Sequence, residues 1–303
     1  LLSPFEDVDV SVKAFSPENA TPLNNWIVYH HAFLLEQHLG SNALQAVSPG
    51  RFVLEPYQLV PVMRALNLSR TRLLLCDDVG LGKTIEAGLV LVELIARRLA
   101  HRVLIVSPPG PLLEQWKAEM WDRFGLRVQV IDRAKMEDIR KQTERGVNPF
   151  DNIQLGLASV DFLRQDHIVR DLERTDFDVV VIDEAHHVFK TGVSADRSDT
   201  QRRKLAEVLA AHSDALLLLT ATPHDGYDRS FASLLELLDP YLVNARGEAR
   251  AGRFSAHVVR RLKRHIVDPD TQEPRFKERT VIPCPVTATD SDDDFAEMHR
   301  NLV

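Results

Sequence analysis

The sequence predicts an α/β fold in which a mostly parallel β-sheet is covered by helices on both faces. Two observations lead to this prediction. Short apolar runs of strand length alternate with longer stretches of helical length, and a glycine-rich turn joins one such strand directly to a helix. No internal repeat interrupts the alternation. The predicted strands are 72–76, 102–106, 126–131, 153–158, 178–182 and 215–220, and the predicted helices are 83–100, 111–124 and 201–211, with another beginning at 160–164.

The composition allows one large hydrophobic core or two smaller ones, and it argues against a membrane protein or a disulfide-stabilised one. Of the 303 residues 44% are hydrophobic, yet no apolar run approaches the ~20 residues that a membrane helix needs. Cys76 and Cys284 lie far apart in the sequence and provide neither a disulfide framework nor metal-ligand spacing. The acidic N-terminus lacks a secretory signal and an initiator Met, and we expect a protein of the reducing cytoplasm.

Charge is distributed unevenly along the chain, whose net charge is −7. Residues 1–50 contain one cation, Lys13, and five carboxylates, whereas residues 246–279 contain ten Lys or Arg and five acids. A protein that follows a phosphate backbone can be acidic on average if its cations line one groove, so the charge neither supports nor excludes a nucleic-acid partner. The basic stretch near Arg260 is equally compatible with a DNA rail and with a solvated helix face.

Periodicity and turn signals divide the chain into three parts. Residues 1–50 are predicted to form a helical arm, in which apolar residues recur near helical period before the turn Ser48-Pro49-Gly50. Residues 51–245 contain the alternating strands and helices, and residues 246–303 form a basic extension.

The segment from Asp77 to Thr84 predicts a phosphate-binding loop, because a Gly-rich turn with Lys-Thr stands between a strand and a helix. Gly80 and Gly82 would let the backbone approach phosphate oxygens, while loop N–H groups and the helix N-terminus supply partial positive charge. Lys83 would reach the β- and γ-phosphates, and the Thr84 hydroxyl would bind Mg²⁺. The alternative is an ordinary Gly-rich strand-to-helix turn, which Gly-Lys-Thr in this context disfavours.

Asp183 and Glu184 follow a buried strand and predict the second half of an ATPase site. In P-loop ATPases an Asp at this position holds Mg²⁺, usually through water, and the next Glu can orient the attacking water and accept its proton. Adjacent acids at a strand end are otherwise common helix caps, so the combination with the phosphate loop carries the prediction. Zinc binding by His186 and His187 would need further ligands, and none stands at suitable spacing, which favours a structural or coupling role.

The order of the motifs resembles that of one helicase family. Asp183-Glu184-Ala185-His186 is similar to the box that names the DEAH-type helicases of superfamily two. Other motifs resemble those of SWI/SNF-type translocases, at 54–58 (Leu-Glu-Pro-Tyr-Gln), 106–108 (Val-Ser-Pro), 112–119 (Leu-Leu-Glu-Gln-Trp-Lys-Ala-Glu), 157–163 (Leu-Ala-Ser-Val-Asp-Phe-Leu), 219–223 (Leu-Thr-Ala-Thr-Pro) and 260–263 (Arg-Arg-Leu-Lys). The phosphate loop is most similar to the bacterial RapA/HepA-like or DISARM-motor-like branch, with Asp78 where that branch usually has Glu. The resemblance covers roughly residues 51–280.

This resemblance implies a RecA-like P-loop domain with an N-terminal helical arm and a C-terminal extension. It implies ATP and Mg²⁺ as cofactors, and DNA bound mainly through its backbone with little sequence specificity. The residues implied to bind the nucleotide are Gln58, which would read adenine, and Asp78, Gly80, Leu81, Gly82, Lys83 and Thr84. Thr84 and Asp183 would hold Mg²⁺, and the implied catalytic residues are Lys83, Asp183 and Glu184. The residues implied to contact DNA or couple it to ATP are Pro108, Ser159, Thr220 and Thr222.

The resemblance also implies a second RecA-like lobe with arginine fingers beyond Val303, so this chain alone is expected to bind ATP and to hydrolyse it hardly at all. Three functions are compatible with the motifs: a DNA translocase that remodels protein–DNA complexes, a strand-separating helicase or restriction-type motor, and a nucleotide-gated scaffold without turnover. The Trp-bearing motif and the Thr-Ala-Thr-Pro motif favour the first, and the complete set of catalytic residues argues against the third. Protein partners are left open, and no membrane is implied.

Two tryptophans and a cysteine near these motifs are predicted to be core residues. Trp116 and Trp121 could stack on bases, but their place in an amphipathic helix favours burial. Cys76 stands directly ahead of the phosphate loop and is predicted to be a small buried hydrophobe.

Overall fold

The computed structural model describes residues 44, 46, 54–188, 197–223, 228–267 and 273–276. The chain divides into two compact units, residues 1–259 and 260–303. The helical arm predicted for residues 1–50 lies outside the described residues, apart from residues 44 and 46.

Seven parallel strands of the first unit form a single sheet. They are β1 (Arg72–Leu75), β2 (Val103–Ser107), β3 (Gln129–Val130), β4 (Leu155–Ser159), β5 (Phe177–Ile182), β6 (Ser213–Leu219) and β7 (Val258–Val259). Their order across the sheet is β3-β4-β2-β5-β6-β1-β7. Because all strands run in one direction, their carboxyl ends meet at one edge, which is where open α/β sheets bind their ligands.

Helices connect the strands and cover the sheet. The α-helices of the described residues are α1 (Val60–Asn67), α2 (Lys83–Ala96), α3 (Pro111–Phe124), α4 (Arg133–Gln142), α5 (Val160–Leu163), α6 (Asp166–Leu172), α7 (Arg197–Ala211) and α8 (Asp228–Leu238). Local sequence explains several ends: α3 begins with Pro111, whose missing N–H costs nothing there, and stops before Gly125 with a φ of 68°. Asp132 caps α4 by accepting the N–H of Lys135.

The core consists of two hydrophobic clusters, to which successive residues of a strand contribute alternately. Leu73 and Leu75 of β1 belong to one cluster, and Leu74 and the following Cys76 belong to the other. This alternation follows from the two-residue period of side chains along a strand. The central strands are buried on both sides, which explains why their sequences are continuously apolar.

The predicted α/β architecture is confirmed, and each predicted strand and helix of the central region is present. The helix predicted at 111–124 has those bounds, whereas the helix predicted at 83–100 ends at Ala96 and the one predicted at 201–211 begins at Arg197. Of the strand predicted at 126–131, only Gln129–Val130 pairs in the sheet. Four helices, α1, α4, α6 and α8, were not predicted from the sequence. The two-residue strand β7 lies in the segment predicted as the basic extension, 246–303, although it pairs with β1 in the sheet. The predicted domain limits at residues 50 and 245 stay predictions.

The second unit is described only over residues 260–267 and 273–276. In these two segments the basic stretch contains a single 3-10 turn, Lys263–His265, so the helix face proposed for it as one alternative is wrong there. Val267 pairs with Pro274 in an isolated antiparallel bridge, and the Lys263 ammonium lies 5.8 Å from the centre of the Phe276 ring. A role as a DNA rail stays a prediction.

Candidate nucleotide site

The phosphate loop joins β1 to α2 at the carboxyl edge of the sheet. Gly80 and Gly82 have φ values of 83° and 89°, in the left-handed region that residues with a Cβ rarely adopt. α2 begins directly after Gly82, so its unpaired N–H groups are directed at the space above the loop. The Lys83 ammonium donates a hydrogen bond to the Asp77 carbonyl at 2.9 Å, which folds the side chain back over the loop. The loop can therefore bind an anion, and the Lys83 ammonium lies beside it.

Gln58 holds the phosphate loop through a hydrogen bond to its backbone. Its side chain is buried, its Nε2 donates to the Leu81 carbonyl at 3.2 Å, and its Oε1 accepts the N–H of Glu55 at 3.3 Å. A Cβ placed on Gly82 would lie 2.7 Å from Gln58 Nε2, so these two residues are packed as closely as a glycine allows. The structure therefore brings Gln58 to the phosphate loop, and its predicted contact with adenine stays a prediction.

The Asp183 carboxylate is held by donors on both of its oxygens. Trp116 Nε1 donates to Oδ2 at 2.7 Å, and the backbone N–H of Glu184 donates to Oδ1 at 2.8 Å. Burial raises the pKa of Asp183, while these two hydrogen bonds and the charge of Lys83 lower it. The donor role of Trp116 was missed by the sequence analysis, which predicted only a buried side chain, and no spacing signal would have revealed it.

Glu184 adopts a φ of 48°, which is unusual for a residue with a long side chain and is found at functional sites. Its Oε2 lies 3.1 Å from His186 Nδ1. This hydrogen bond is the main reason that the pKa of Glu184 is lowered, and the charges of His186 and Lys83 act in the same direction against the effect of burial. The Glu184 carboxylate is thereby kept ionised, as a general base requires.

The two halves of the predicted ATPase site share one space. Lys83 lies close enough to Asp183 and Glu184 for its charge to lower the pKa of both carboxylates. Since Thr84 is the second residue of α2, its hydroxyl and the Asp183 carboxylate would offer Mg²⁺ the hard oxygen ligands that it prefers. The residues present therefore fit a magnesium–nucleotide complex: the loop glycines and Lys83 for the phosphates, Thr84 and Asp183 for the metal.

His186 connects this site to the neighbouring strand. Its Nδ1 lies 3.2 Å from the hydroxyl of Thr220, which follows β6, and that hydroxyl accepts the N–H of Thr222 at 3.1 Å. The His187 ring lies 4.0 Å from the His186 ring, and burial lowers the pKa of His187. Within the described part of the chain, no group of three or more His, Cys, Asp or Glu side chains is arranged to hold a metal ion. The structural or coupling role of the two histidines stays a prediction.

The other residues predicted to face DNA lie along the same edge of the sheet. Pro108 follows β2, and Ser159 ends β4, where its hydroxyl accepts the N–H of Phe162 at 3.2 Å and caps α5. Thr220 is buried, and Thr222 is exposed. The parallel sheet thus brings the phosphate loop, the carboxylates and all four predicted coupling residues to one edge, although DNA contact itself stays a prediction.

Of the three residues predicted to be buried, two are. Trp116 is 1% exposed and Cys76 2% exposed, with the Cys76 thiol donating to the Val259 carbonyl at 3.3 Å. The prediction for Trp121 is wrong: the side chain is 45% exposed, and the Arg127 guanidinium lies 4.7 Å from its ring centre. Five positions separate Trp121 from Trp116, which turns it away from the buried face of α3, and the Arg127 cation lies over its ring.

Comparisons with known proteins agree with this geometry. The family model described as "Type III restriction enzyme, res subunit" matches residues 51–225. RNA polymerase-associated protein RapA of Yersinia pestis is 37% identical over 191 residues, which are 63% of this chain and 19% of that protein, and RapA of Serratia proteamaculans is 36% identical over the same length. The chain thus spans about a fifth of the length of these relatives.

Solved structures show the same fold. The SWI2/SNF2 ATPase core of Sulfolobus solfataricus in complex with double-stranded DNA has a TM-score of 0.54 at 21% identity, covering 72% of this chain and 47% of the other. The Hef helicase domain of Pyrococcus furiosus has a TM-score of 0.50 at 18% identity, covering 69% and 38%. None of the described helices is long and apolar enough to cross a bilayer. The chain therefore belongs to the family described as the res subunit of type III restriction enzymes, and its fold is that of a RecA-like α/β lobe.

Proposed function

We propose that this chain is the ATP-binding lobe of a DNA-dependent ATPase that translocates on DNA and remodels protein–DNA complexes. The observation that carries the proposal is the convergence of Lys83 with Asp183 and Glu184, from opposite sides of β6, on one space at the sheet edge. A phosphate loop alone would support nucleotide binding. The carboxylate pair beside it adds the groups that hydrolysis needs.

Each residue of the site has a proposed task. Backbone N–H groups between Gly80 and Thr84 and the Lys83 ammonium bind the phosphates, and Asp183 with the Thr84 hydroxyl holds Mg²⁺. When bound, Mg²⁺ neutralises part of the phosphate charge. Glu184, kept ionised by its hydrogen bond with His186, orients a water molecule and accepts its proton. Gln58 holds the loop in place and contacts the adenine.

We further propose that DNA lies along the edge that carries Pro108, Ser159 and Thr222, which it contacts through its phosphates with little sequence specificity. The SWI2/SNF2 core from Sulfolobus solfataricus was solved with double-stranded DNA, and the relatives in Yersinia pestis and Serratia proteamaculans are named RNA polymerase-associated proteins. These names support double-stranded DNA as the polymer along which the protein moves, and a DNA-bound protein as the partner that it remodels. A second lobe that supplies arginine fingers would complete the catalytic site, and the cytoplasm is the proposed location.

The experiment is an ATPase and strand-displacement assay on the complete protein. DNA-stimulated hydrolysis with displacement of a third strand from triplex DNA, and without unwinding of a duplex, supports translocation. Unwinding of a duplex would instead establish a strand-separating helicase, the alternative that the Hef domain and the restriction-enzyme family represent. ATP binding without turnover on any DNA would refute the ATPase proposal in favour of a nucleotide-gated scaffold.

A further inference from the structure

The orientation of the Asp183 carboxylate depends on one side chain from another element. Its Oδ1 is held by the next residue along the chain, Glu184, a contact that moves together with it. Its Oδ2 is held by the indole N–H of Trp116, on α3, at 2.7 Å. Among the described residues, the indole contact alone therefore fixes the carboxylate relative to a different part of the lobe.

Tryptophan suits this contact chemically. An indole nitrogen can only donate a hydrogen bond, and it therefore stabilises an acceptor oxygen of an ionised carboxylate. Trp116 is 1% exposed and packs among other buried hydrophobic residues, so the position of the indole is fixed by the core around it. The hydrogen bond with Trp116 also opposes the rise in the pKa of Asp183 that burial causes. A residue that merely filled the core would need no donor aimed at this carboxylate.

The helix that carries Trp116 begins at the edge predicted to face DNA. α3 starts at Pro111, directly after the turn Pro108–Gly110, and Trp116 lies about 7.5 Å further along its axis. Leu112 in the first turn is 37% exposed, and a Cβ placed on Gly110 would meet nothing within 4 Å. Trp116 and Met120 are the buried residues of this helix. The start of α3 is thus open to a partner, while its first buried side chain holds Asp183.

We propose that Trp116 is a positioning residue that orients Asp183 for Mg²⁺ and links the segment 108–113 to the ATP site. DNA that displaces or immobilises this segment changes the position of α3 and, through the indole, the geometry of the carboxylate. The inference rests on the proposed ATPase function and adds the route by which bound DNA affects the metal site.

The test compares Trp116→Phe with Trp121→Phe in the complete protein. Trp116→Phe removes the donor and keeps an aromatic side chain, and Trp121→Phe is the matched control on the same helix, because that exposed ring contacts Arg127 and not the site. The measurements are binding of a fluorescent ATP analogue as a function of Mg²⁺ concentration and in EDTA, and kcat and KM for ATP with and without duplex DNA.

For Trp116→Phe we expect the Mg²⁺ concentration that half-saturates nucleotide binding to rise about tenfold, since a hydrogen bond to a charged group is lost. Binding in EDTA should change by less than about twofold, and stimulation of kcat by DNA should disappear while KM stays near its original value. Trp116→His, which restores a ring N–H, should recover part of both losses. Trp121→Phe should behave as the unmodified protein does.

Unchanged Mg²⁺ dependence together with unchanged DNA stimulation in Trp116→Phe would overturn the inference. Two other results would also overturn it, because each indicates a purely structural role. One is that Trp121→Phe loses Mg²⁺-dependent binding and DNA stimulation as much as Trp116→Phe does. The other is that Trp116→Phe loses as much nucleotide binding in EDTA as it does in Mg²⁺. If Trp116→Phe unfolds at the assay temperature, benzothienylalanine at position 116, which has the indole shape without the N–H, is judged by the same criteria. Failure of the proposed function is distinct, because the unmodified protein would then show no DNA-stimulated turnover.

Discussion

His186 Nδ1 lies 3.2 Å from the Thr220 hydroxyl, so the segments that follow β5 and β6 are joined at the edge of the sheet. The same nitrogen lies 3.1 Å from Glu184 Oε2, and the Thr220 hydroxyl accepts the N–H of Thr222 at 3.1 Å. Since Thr222 is exposed, a continuous series of contacts leads from the surface to the carboxylate proposed as the general base.

Replacing Thr220 by Val should uncouple the exposed Thr222 from the Glu184 carboxylate. The substitution keeps the shape of the side chain and removes the hydroxyl, so His186 and the N–H of Thr222 both lose a partner. We expect DNA-stimulated kcat of the complete protein to fall about fivefold or more, with unchanged ATP affinity. Thr220→Ser keeps the hydroxyl and should retain most of the activity; equal activity of the Val and Ser variants would show that this contact does not matter for turnover.

Lys83→Ala should abolish detectable nucleotide binding. The ammonium is the cation of the phosphate loop, and its loss removes the charged side chain proposed to bind the triphosphate, a weakening on the order of a hundredfold. Isothermal titration calorimetry with ATP and Mg²⁺ measures this directly. Lys135→Ala removes an exposed lysine on α4 and should bind as before. An ATP affinity of Lys83→Ala equal to that of this control would refute the phosphate-loop assignment.

Glu184→Gln should preserve nucleotide binding and reduce steady-state hydrolysis by ~10²–10⁴-fold, the usual contribution of a general base. The amide is nearly isosteric with the carboxylate, but it cannot accept the proton of the attacking water. Turnover and binding are measured on the complete protein with DNA present, beside Glu137→Gln, which alters an exposed helix position. Normal hydrolysis by Glu184→Gln would move the role of base to another group.

The pH dependence of turnover should respond to His186. Its hydrogen bond is the largest cause of the lowered pKa of Glu184, so the carboxylate stays ionised, and its contribution to stability is kept, until the pH falls through that lowered value. His186→Leu should raise the pKa of Glu184 and shift the acid limb of the kcat profile to higher pH. His187→Leu removes a weaker influence on the pKa of Glu184 and should shift the acid limb less. An acid limb that does not move in His186→Leu contradicts the assignment.

Gly82→Ala should damage the phosphate loop beyond the cost of backbone strain. At a φ of 89° an alanine is disfavoured by ~1–2 kcal/mol, and its Cβ would displace the Gln58 amide from the Leu81 carbonyl. Gly146→Ala is the matched control, since its φ is 93° and its Cβ would meet nothing within 4 Å. Both variants should melt earlier, Gly82→Ala by more than Gly146→Ala, and only Gly82→Ala should lose ATP binding; intact binding there would show that the loop tolerates the displaced Gln58.

The sequence alone determined the architecture and named the residues proposed for the site, because both follow from local patterns. Apolar runs of strand length specify a buried parallel sheet, and Lys83 with Thr84 after a strand identifies the phosphate loop without reference to any other element. The helices α4 and α6 were not predicted from the sequence, since both are short and bury only two and three residues, and their stability depends on tertiary packing.

Only the tertiary structure decided which side chains meet. The Trp116 indole and the Asp183 carboxylate are separated by 67 positions in the chain, and parallel pairing of β2 with β5 is what brings them to 2.7 Å. The same holds for the exposure of Trp121, which shares a helix with Trp116 and faces the other way. Sequence periodicity predicts that a helix has a buried face, but the surface it packs against, and the hydrogen-bond partners found there, depend on the strand order of the folded sheet.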